Sequence, residues 1–470
     1  MLKCDVLIIG AGLCGVFCAR NLARYDLSIA VLEKNDDVCT GISKANTGII
    51  YTGYNNKPGS AKARLCLQAN EDFDRLSREL SVRFRRPGSL MISCGPQAER
   101  VLRKKFEDGK AGGVKNLRLI SGDEAQSLEP NLAAGITLGL LADDTGVINP
   151  WELCIAAYEN AGENGVPFFF NEEVMEIERT GNGFCVCTAK ETYEAACVIN
   201  AAGLSSDRVR EMLEKPLIRL YPTAADYILL DRSQKGFVNH IIFHEGEDGK
   251  GLTVVPALDG NIMLGPTNRK LSGDNEALSA GNVSAAGLSD IISLCEKVVP
   301  GLDLSCMIRT FGSERPNPYR VREENGIIIR EEKSIKDFVL LEENGFFSLT
   351  GIKTPGLTFS NELGKLTAEK CAAFLGKDTA LRSDYDPVRK APVRVSELSL
   401  DDRNSLIKKD PAYGRVVCRC MDVTEGEIRD AVYRGARTAE QIKRRTGAFM
   451  GTCQGSRCGG KIAELIKTYS

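Results

Sequence analysis

Histidine is nearly absent from this chain: of its 470 residues only His240 and His244 carry an imidazole, and Trp151 is its single tryptophan. That leaves few candidates for the side chain that most often moves protons at neutral pH. Charge of one sign is lacking too. The 61 Lys and Arg nearly balance the 63 Asp and Glu, for a net charge of −2 with no long run of either. Such a balance carries no electrostatic footprint for nucleic acid or an anionic membrane. No apolar run reaches the roughly 20 residues that span a bilayer. The opening apolar run is broken by Asp5 and by glycines, so it does not read as a signal peptide, and a cytoplasmic location is the default expectation. Seventeen cysteines are an odd number spread through a large chain, unlike a secreted disulfide framework. Cys4, Cys14, Cys18, Cys66, Cys154, Cys197, Cys295 and Cys371 lie in apolar segments and read as small buried hydrophobes. Cys185 and Cys187 fit the alternation of a strand.

What is present begins at residues 4–34, CDVLIIGAGLCGVFCARNLARYDLSIAVLEK, which reads as strand, turn, helix, strand. Asp5 to Ile9 suits a parallel strand covered on both faces. Gly10, Gly12 and Gly15 follow as Gly-x-Gly-x-x-Gly where the strand turns into a helix. They meet three steric demands: a tight turn, close approach of backbone to a pyrophosphate, and close packing of helix on strand. The helix N-terminus then faces the phosphates with free N–H groups and the positive end of its dipole. Glu33 ends the second strand, placed to accept both ribose hydroxyls, and its charge would repel a 2′-phosphate. The ligand is therefore FAD or NAD, not NADP.

Three further stretches follow in order. Residues 39–70, CTGISKANTGIIYTGYNNKPGSAKARLCLQAN, are small and polar and become helical near Ser60. Cys197-Val-Ile-Asn-Ala-Ala-Gly203 is a buried strand ending in a small-residue turn. Gly326–Arg330 and Phe346–Thr350 read as strands, and Gly351–Thr358 as a loop before a helix beginning near Asn361. Between them, Asn149 caps and Pro150 opens a helix from Trp151 to Gly165. A strand follows over Val166–Arg179, strand-dense sequence runs from Lys215 to Arg315, and helices follow Glu276.

Taken together, these motifs resemble the FAD-dependent amine and hydroxy-acid oxidoreductases of the D-amino-acid oxidase and glycerol-3-phosphate dehydrogenase type, over roughly residues 4–375. The resemblance implies FAD as the ligand. It assigns cofactor contacts to Gly10, Gly12, Gly15, Glu33, Lys34, Ser43, Asn46, Thr47, Val174, Ala202, Gly203, Gly351, Gly356, Leu357 and Thr358. It also implies an α/β chain built of a Rossmann-type FAD-binding domain (1–80, 145–212, 315–376) with an inserted mixed-sheet substrate domain (81–144, 213–314). Where these families commonly carry histidine this chain has Tyr51, which rules out a covalent flavin link through a histidine there. Arg315, in RTFGSERPNP, is similar to the family's arginine-proline element, and a planar guanidinium suits bidentate capture of a carboxylate or phosphate. Lys353 stands where glycerol-3-phosphate dehydrogenases carry a lysine, and a cation there would stabilise an anionic ligand. His244 is the better of two candidates for the base, although structural or surface roles fit both histidines.

After Cys371 the sequence turns polar, and residues 377–413 read as a linker. Cys418-x-Cys420 and Cys453-x4-Cys458 then stand 32 residues apart, around two amphipathic helical patterns. Four thiolates form a soft set that selects Zn or iron–sulfur, and Cys-x-Cys is tight for one zinc ion. Residues 414–470 resemble the bacterioferritin-associated-ferredoxin-like [2Fe–2S] domain, also found at the C-terminus of anaerobic glycerol-3-phosphate dehydrogenase large subunits. This implies a small, mainly helical iron–sulfur domain that passes electrons to a redox subunit or protein, with peripheral membrane association through that partner open. The expected reaction is oxidation of glycerol 3-phosphate. A 2-hydroxy acid such as 2-hydroxyglutarate or a secondary amino acid is the alternative substrate, and a non-catalytic electron-transfer or redox-sensing subunit is the alternative of another class.

Overall fold

The computed structural model describes residues 1–245, 251–271, 282–377 and 381–470. They form two compact units, Met1–Arg389 and Lys390–Ser470.

The first unit is organised on an eight-stranded sheet whose centre is parallel. The opening strand, Leu2–Ile9, lies between Ile29–Glu33 and Thr192–Asn200, with Val6 opposite both Ile29 and Cys197. Phe168–Phe170 extends the parallel set on one side, and Phe346–Thr350 pairs with Thr192–Asn200 on the other. Val6, Leu7 and Ile8 are wholly buried, as a strand covered on both faces requires. Helix Leu13–Leu22 packs on this sheet and against helix Gly356–Phe374. The two helices meet at Gly364, where a Cβ would stand 2.6 Å from the backbone of Phe17. Helix Pro150–Glu163 starts as expected, with the Asn149 side chain accepting from the N–H groups of Trp151 and Glu152.

A second, nine-stranded sheet draws from two stretches of chain. Ser89–Ser93 runs antiparallel to Leu138–Ala142 and parallel to Ile241–His244. Met307–Arg315 pairs with Thr223–Leu230 along its whole length, so that Arg315 emerges opposite Thr223 at one end.

Several details depart from expectation. Ile327–Arg330 belongs to a separate three-stranded sheet with Ile218–Leu220 and Pro318–Glu324, and the strand that rejoins the main sheet is Val339–Glu343. Val166–Arg179 is two strands broken at Asn171, which takes φ +55°. Helix Gly356–Phe374 begins five residues before Asn361, as soon as Pro355 allows. After Glu276 the described residues contain helix Ala285–Val298, while residues 272–281 lie outside the described set. Among its described residues the 377–413 linker is partly structured. Arg389 forms a buried 2.6 Å ion pair with Glu159, and Leu400–Lys409 is a helix capped by Ser399. Residues 414–470 contain helices Glu425–Tyr433, Ala439–Thr446 and Gly459–Tyr469, the first two opened by capping boxes at Thr424/Glu427 and Thr438/Gln441.

The helix contact at Gly364 yields a direct test. Gly364→Ala forces a methyl onto fixed backbone and should cost about 1–3 kcal/mol, lowering the thermal midpoint by roughly 1–4 °C in calorimetry.

Candidate functional site

A large cavity opens at the carboxyl ends of the parallel strands, where α/β sheets commonly hold ligands. Its floor is the turn after the first strand. Gly10 takes φ +101°, and a Cβ there would sit 2.6 Å from the carbonyl of Ala201. A Cβ on Gly15 would lie 1.8 Å from the Gly10 carbonyl, so the helix meets the turn backbone to backbone. Ala201 N–H donates to the Ile9 carbonyl at 2.9 Å, bringing the Ala201–Gly203 turn alongside. Helix Leu13–Leu22 has no side-chain cap and no acid in its first turn. An anion is therefore the natural occupant of its N-terminus. Ser43 Oγ accepts from Leu13 N–H at 3.1 Å, which holds residues 41–47 over this end.

Glu33 lines the cavity and is nearly buried. Its carboxylate accepts from Ala11 N–H at 2.8 Å and from the backbone and side chain of Asn35, so its position is set by the turn it serves. Lys34, Asn46, Thr47, Val174, Ala202 and Gly203 also border the cavity. At the far end Gly356 and Leu357 begin a second helix that has no side-chain cap at its N-terminus. Gly15, Gly351 and Thr358 do not border it. Gly351, at φ +70°, abuts Pro318, and the buried Thr358 hydroxyl accepts from Tyr51 N–H at 3.0 Å. These three shape the walls from behind.

Arg315 and Lys353 border the same cavity, with Tyr51 and Tyr227. Asn317 ties the Lys353 ammonium to the Arg315 backbone: its side-chain oxygen accepts from Lys353 Nζ at 3.0 Å, and its amide donates to the main-chain carbonyl of Arg315 at 3.2 Å. Burial, and next the charge of Arg315, hold Lys353 below its ordinary pKa. Lys62 stands behind it, nearly buried, donating to the Lys336 carbonyl at 2.9 Å; burial and the charge of Lys353 bring it down to about 8. Burial raises the pKa of Tyr51 despite a hydrogen bond with Thr47, so its hydroxyl keeps its proton.

The histidines fall elsewhere. His240 joins the buried Glu129 through Nδ1 at 2.6 Å, a structural pairing. His244 ends strand Ile241–His244 opposite Ile92 and is not among the residues lining the cavity. Its expected place as base is thus not met: the second sheet, which carries it, presents Arg315 to the cavity from a different strand. Sequence reasoning also misses Asn317, although it stands in the arginine-proline element itself, and Lys62, whose burial only the helix packing reveals.

In the second unit Cys418, Cys420, Cys453 and Cys458 line one cavity. Among the described residues no three His, Cys, Asp or Glu side chains converge as a metal site. The thiols meet two by two, Cys420 with Cys453 and Cys418 with Cys458. Backbone N–H groups of Arg457 and Gly455 aimed at its sulfur lower Cys453 to about 7, while burial raises Cys458 to about 11. Gly451 packs where a Cβ would stand 2.3 Å from that of Cys420. Two thiol pairs with N–H donors on a sulfur fit a cluster that offers two irons.

Comparison with known proteins agrees. Residues 5–370 match the family described as FAD dependent oxidoreductase. The chain belongs to that family. Residues 416–468 match the BFD-like [2Fe–2S] binding domain, so FAD and a [2Fe–2S] cluster are the cofactors of this family member. It is similar to a glycerol 3-phosphate dehydrogenase of Caloramator mitchellensis, at 36% identity over 98% of this chain and 93% of that protein. It is also similar to one subunit of the anaerobic glycerol-3-phosphate dehydrogenase of Escherichia coli K12, at 23% identity over 99% of this chain and 88% of that protein. The fold matches that of the FAD-bound L-alpha-glycerophosphate oxidase of Mycoplasma pneumoniae, with TM-score 0.73 at 22% identity over 84% of this chain and all of that one.

Two substitutions separate the cofactor sites. Gly15→Ala drives a methyl into the Gly10 carbonyl, and the purified protein should lose most of its FAD absorbance. Cys453→Ser should abolish acid-labile sulfide and leave the flavin in place.

Proposed function

We propose that this oxidoreductase oxidises sn-glycerol 3-phosphate to dihydroxyacetone phosphate and passes the electrons through its C-terminal domain to a protein acceptor. The observation that carries the reading is the joint presence of Arg315 and Lys353, linked through Asn317, in the cavity that also holds the glycine turn and Glu33. The relative from Caloramator mitchellensis, similar over nearly the full length, supports this substrate over a 2-hydroxy acid or secondary amino acid. The four-cysteine domain supports a protein acceptor over direct use of oxygen. FAD, held at the glycine turn and by Glu33, would supply the hydride acceptor for the alcohol carbon. Arg315 presents a planar pair of donors to the phosphate, Lys353 adds a second charge, and burial makes both interactions stronger than they would be in water. Asn317 holds the ammonium in place before substrate arrives, so little ordering is left for the binding step. The Tyr51 hydroxyl, still protonated, offers a donor to a substrate oxygen.

The test is anaerobic mixing with a substrate panel. Glycerol 3-phosphate should bleach the flavin and 2-hydroxyglutarate and proline should not; bleaching by one of the latter alone reassigns the substrate, and bleaching by none favours a non-catalytic role. Lys353→Met removes a charge-assisted contact and should lower kcat/KM roughly 10- to 150-fold. Lys353 holds an anion only while protonated, and its pKa lies below the usual lysine value. Activity should therefore be full at lower pH and fall as pH rises through that depressed value, and Lys353→Arg should flatten this limb in a pH–kcat/KM profile.

A further inference from the structure

The cavity of the four cysteines has a cationic mouth. Arg415, Arg419, Arg457 and Lys461 line it, against a single acid, Glu425. Arg415 is paired with Glu425 at 2.8 Å and Lys461 with Glu464 at 3.1 Å. Arg419 and Arg457 are exposed and form no ion pair among the described residues. The wider unit repeats this bias: Lys390–Ser470 contains 16 Lys and Arg against 10 Asp and Glu, a net +6, so residues 1–389 of a chain with net charge −2 carry −8. A positive surface around one opening, on a chain that is negative elsewhere, steers partners by charge and does so over about 8–10 Å at ordinary salt. Cys420 and Cys453 are only half-buried at this mouth while Cys418 and Cys458 are buried, so a cluster held by the four thiols would be most accessible to a partner from this side.

We infer that the rim formed by Arg415, Arg419, Arg457 and Lys461 is the docking surface for an acidic one-electron carrier protein. The inference rests on the proposed function. Each substrate molecule yields two electrons, and two carrier molecules each take one at this rim. Docking strength comes from the opposed charges, and unpaired Arg419 and Arg457 contribute more than the two cations already neutralised by Glu425 and Glu464.

Two haem proteins of opposite charge test it with the intact holoenzyme: the acidic soluble domain of cytochrome b5 and the basic cytochrome c. Binding of each oxidised cytochrome is measured by sedimentation, and its reduction after adding glycerol 3-phosphate by absorbance, in low and in physiological salt. Cytochrome b5 should bind and be reduced at least about tenfold more weakly in physiological salt, and cytochrome c should bind negligibly. Arg419→Glu/Arg457→Glu should abolish cytochrome b5 binding without altering flavin bleaching. Should the variant lose its visible cluster spectrum, the salt dependence of the unaltered protein decides. Equal treatment of the two cytochromes, or preference for cytochrome c as the net charge of −2 would dictate, overturns the inference. A salt-labile dimer of this chain that ignores both cytochromes assigns the rim to a second copy and overturns it equally. Failure of glycerol 3-phosphate to bleach the flavin is scored separately and counts against the substrate, because cytochrome binding does not depend on it.

Discussion

The structure depends on one close contact: the turn after the first strand touches the helix that follows it and the turn after a neighbouring strand, backbone to backbone. The distances at Gly10 and Gly15 leave no room for a side chain. Because that corner is so tight, N–H groups of the helix are exposed to a ligand and the carboxyl ends of the parallel strands form a single crevice. Glu33, Ser43 and the Ala201–Gly203 turn are all placed by hydrogen bonds that start from it.

Substrate chemistry is built on from outside. The second sheet is held by long pairing of Met307–Arg315 with Thr223–Leu230, and this pairing delivers Arg315 to the crevice. Ser313 on the same strand donates to the Ala45 carbonyl at 2.5 Å, fastening that strand to the segment that covers the helix N-terminus. Lys353 arrives from the opposite side, on the turn between the last parallel strand and helix Gly356–Phe374. Asn317 thus joins the Lys353 ammonium to the backbone of the strand end that carries Arg315. Lys62, buried behind the half-buried Lys353, adds a third positive group, an arrangement that favours an anion in front.

Legibility in the sequence follows the locality of the cause. The glycine turn, the Asn149–Pro150 helix start and the Cys197–Gly203 strand end are readable because short-range sterics or capping decide them. The four cysteines are readable because spacing constrains what they can bind. Sequence pattern places helix Gly356–Phe374 too late, since Gly-Leu-Thr after Pro355 has loop-like composition and only packing on helix Leu13–Leu22 makes it helical. Pattern also favours Ile327–Arg330 over Val339–Glu343 as a strand of the main sheet, because both have strand propensity and the pairing is long-range. The helix Leu400–Lys409 does carry its signals, Ser399 as cap, Asp401 and Asp402 in the first turn, Lys408 and Lys409 in the last. The prolines on either side obscure them. His244 is favoured as a base for want of rivals, and tertiary structure alone shows which residues share its surroundings.

Electron-density maps of crystals grown with FAD measure the central claim most directly. The account predicts the diphosphate within hydrogen-bonding distance of the backbone N–H groups at the start of helix Leu13–Leu22 and the ribose on Glu33, with the ring system extending toward Lys353 and Arg315. A diphosphate seated away from the glycine turn, or crystals of folded protein that take up no FAD into this crevice, would contradict it.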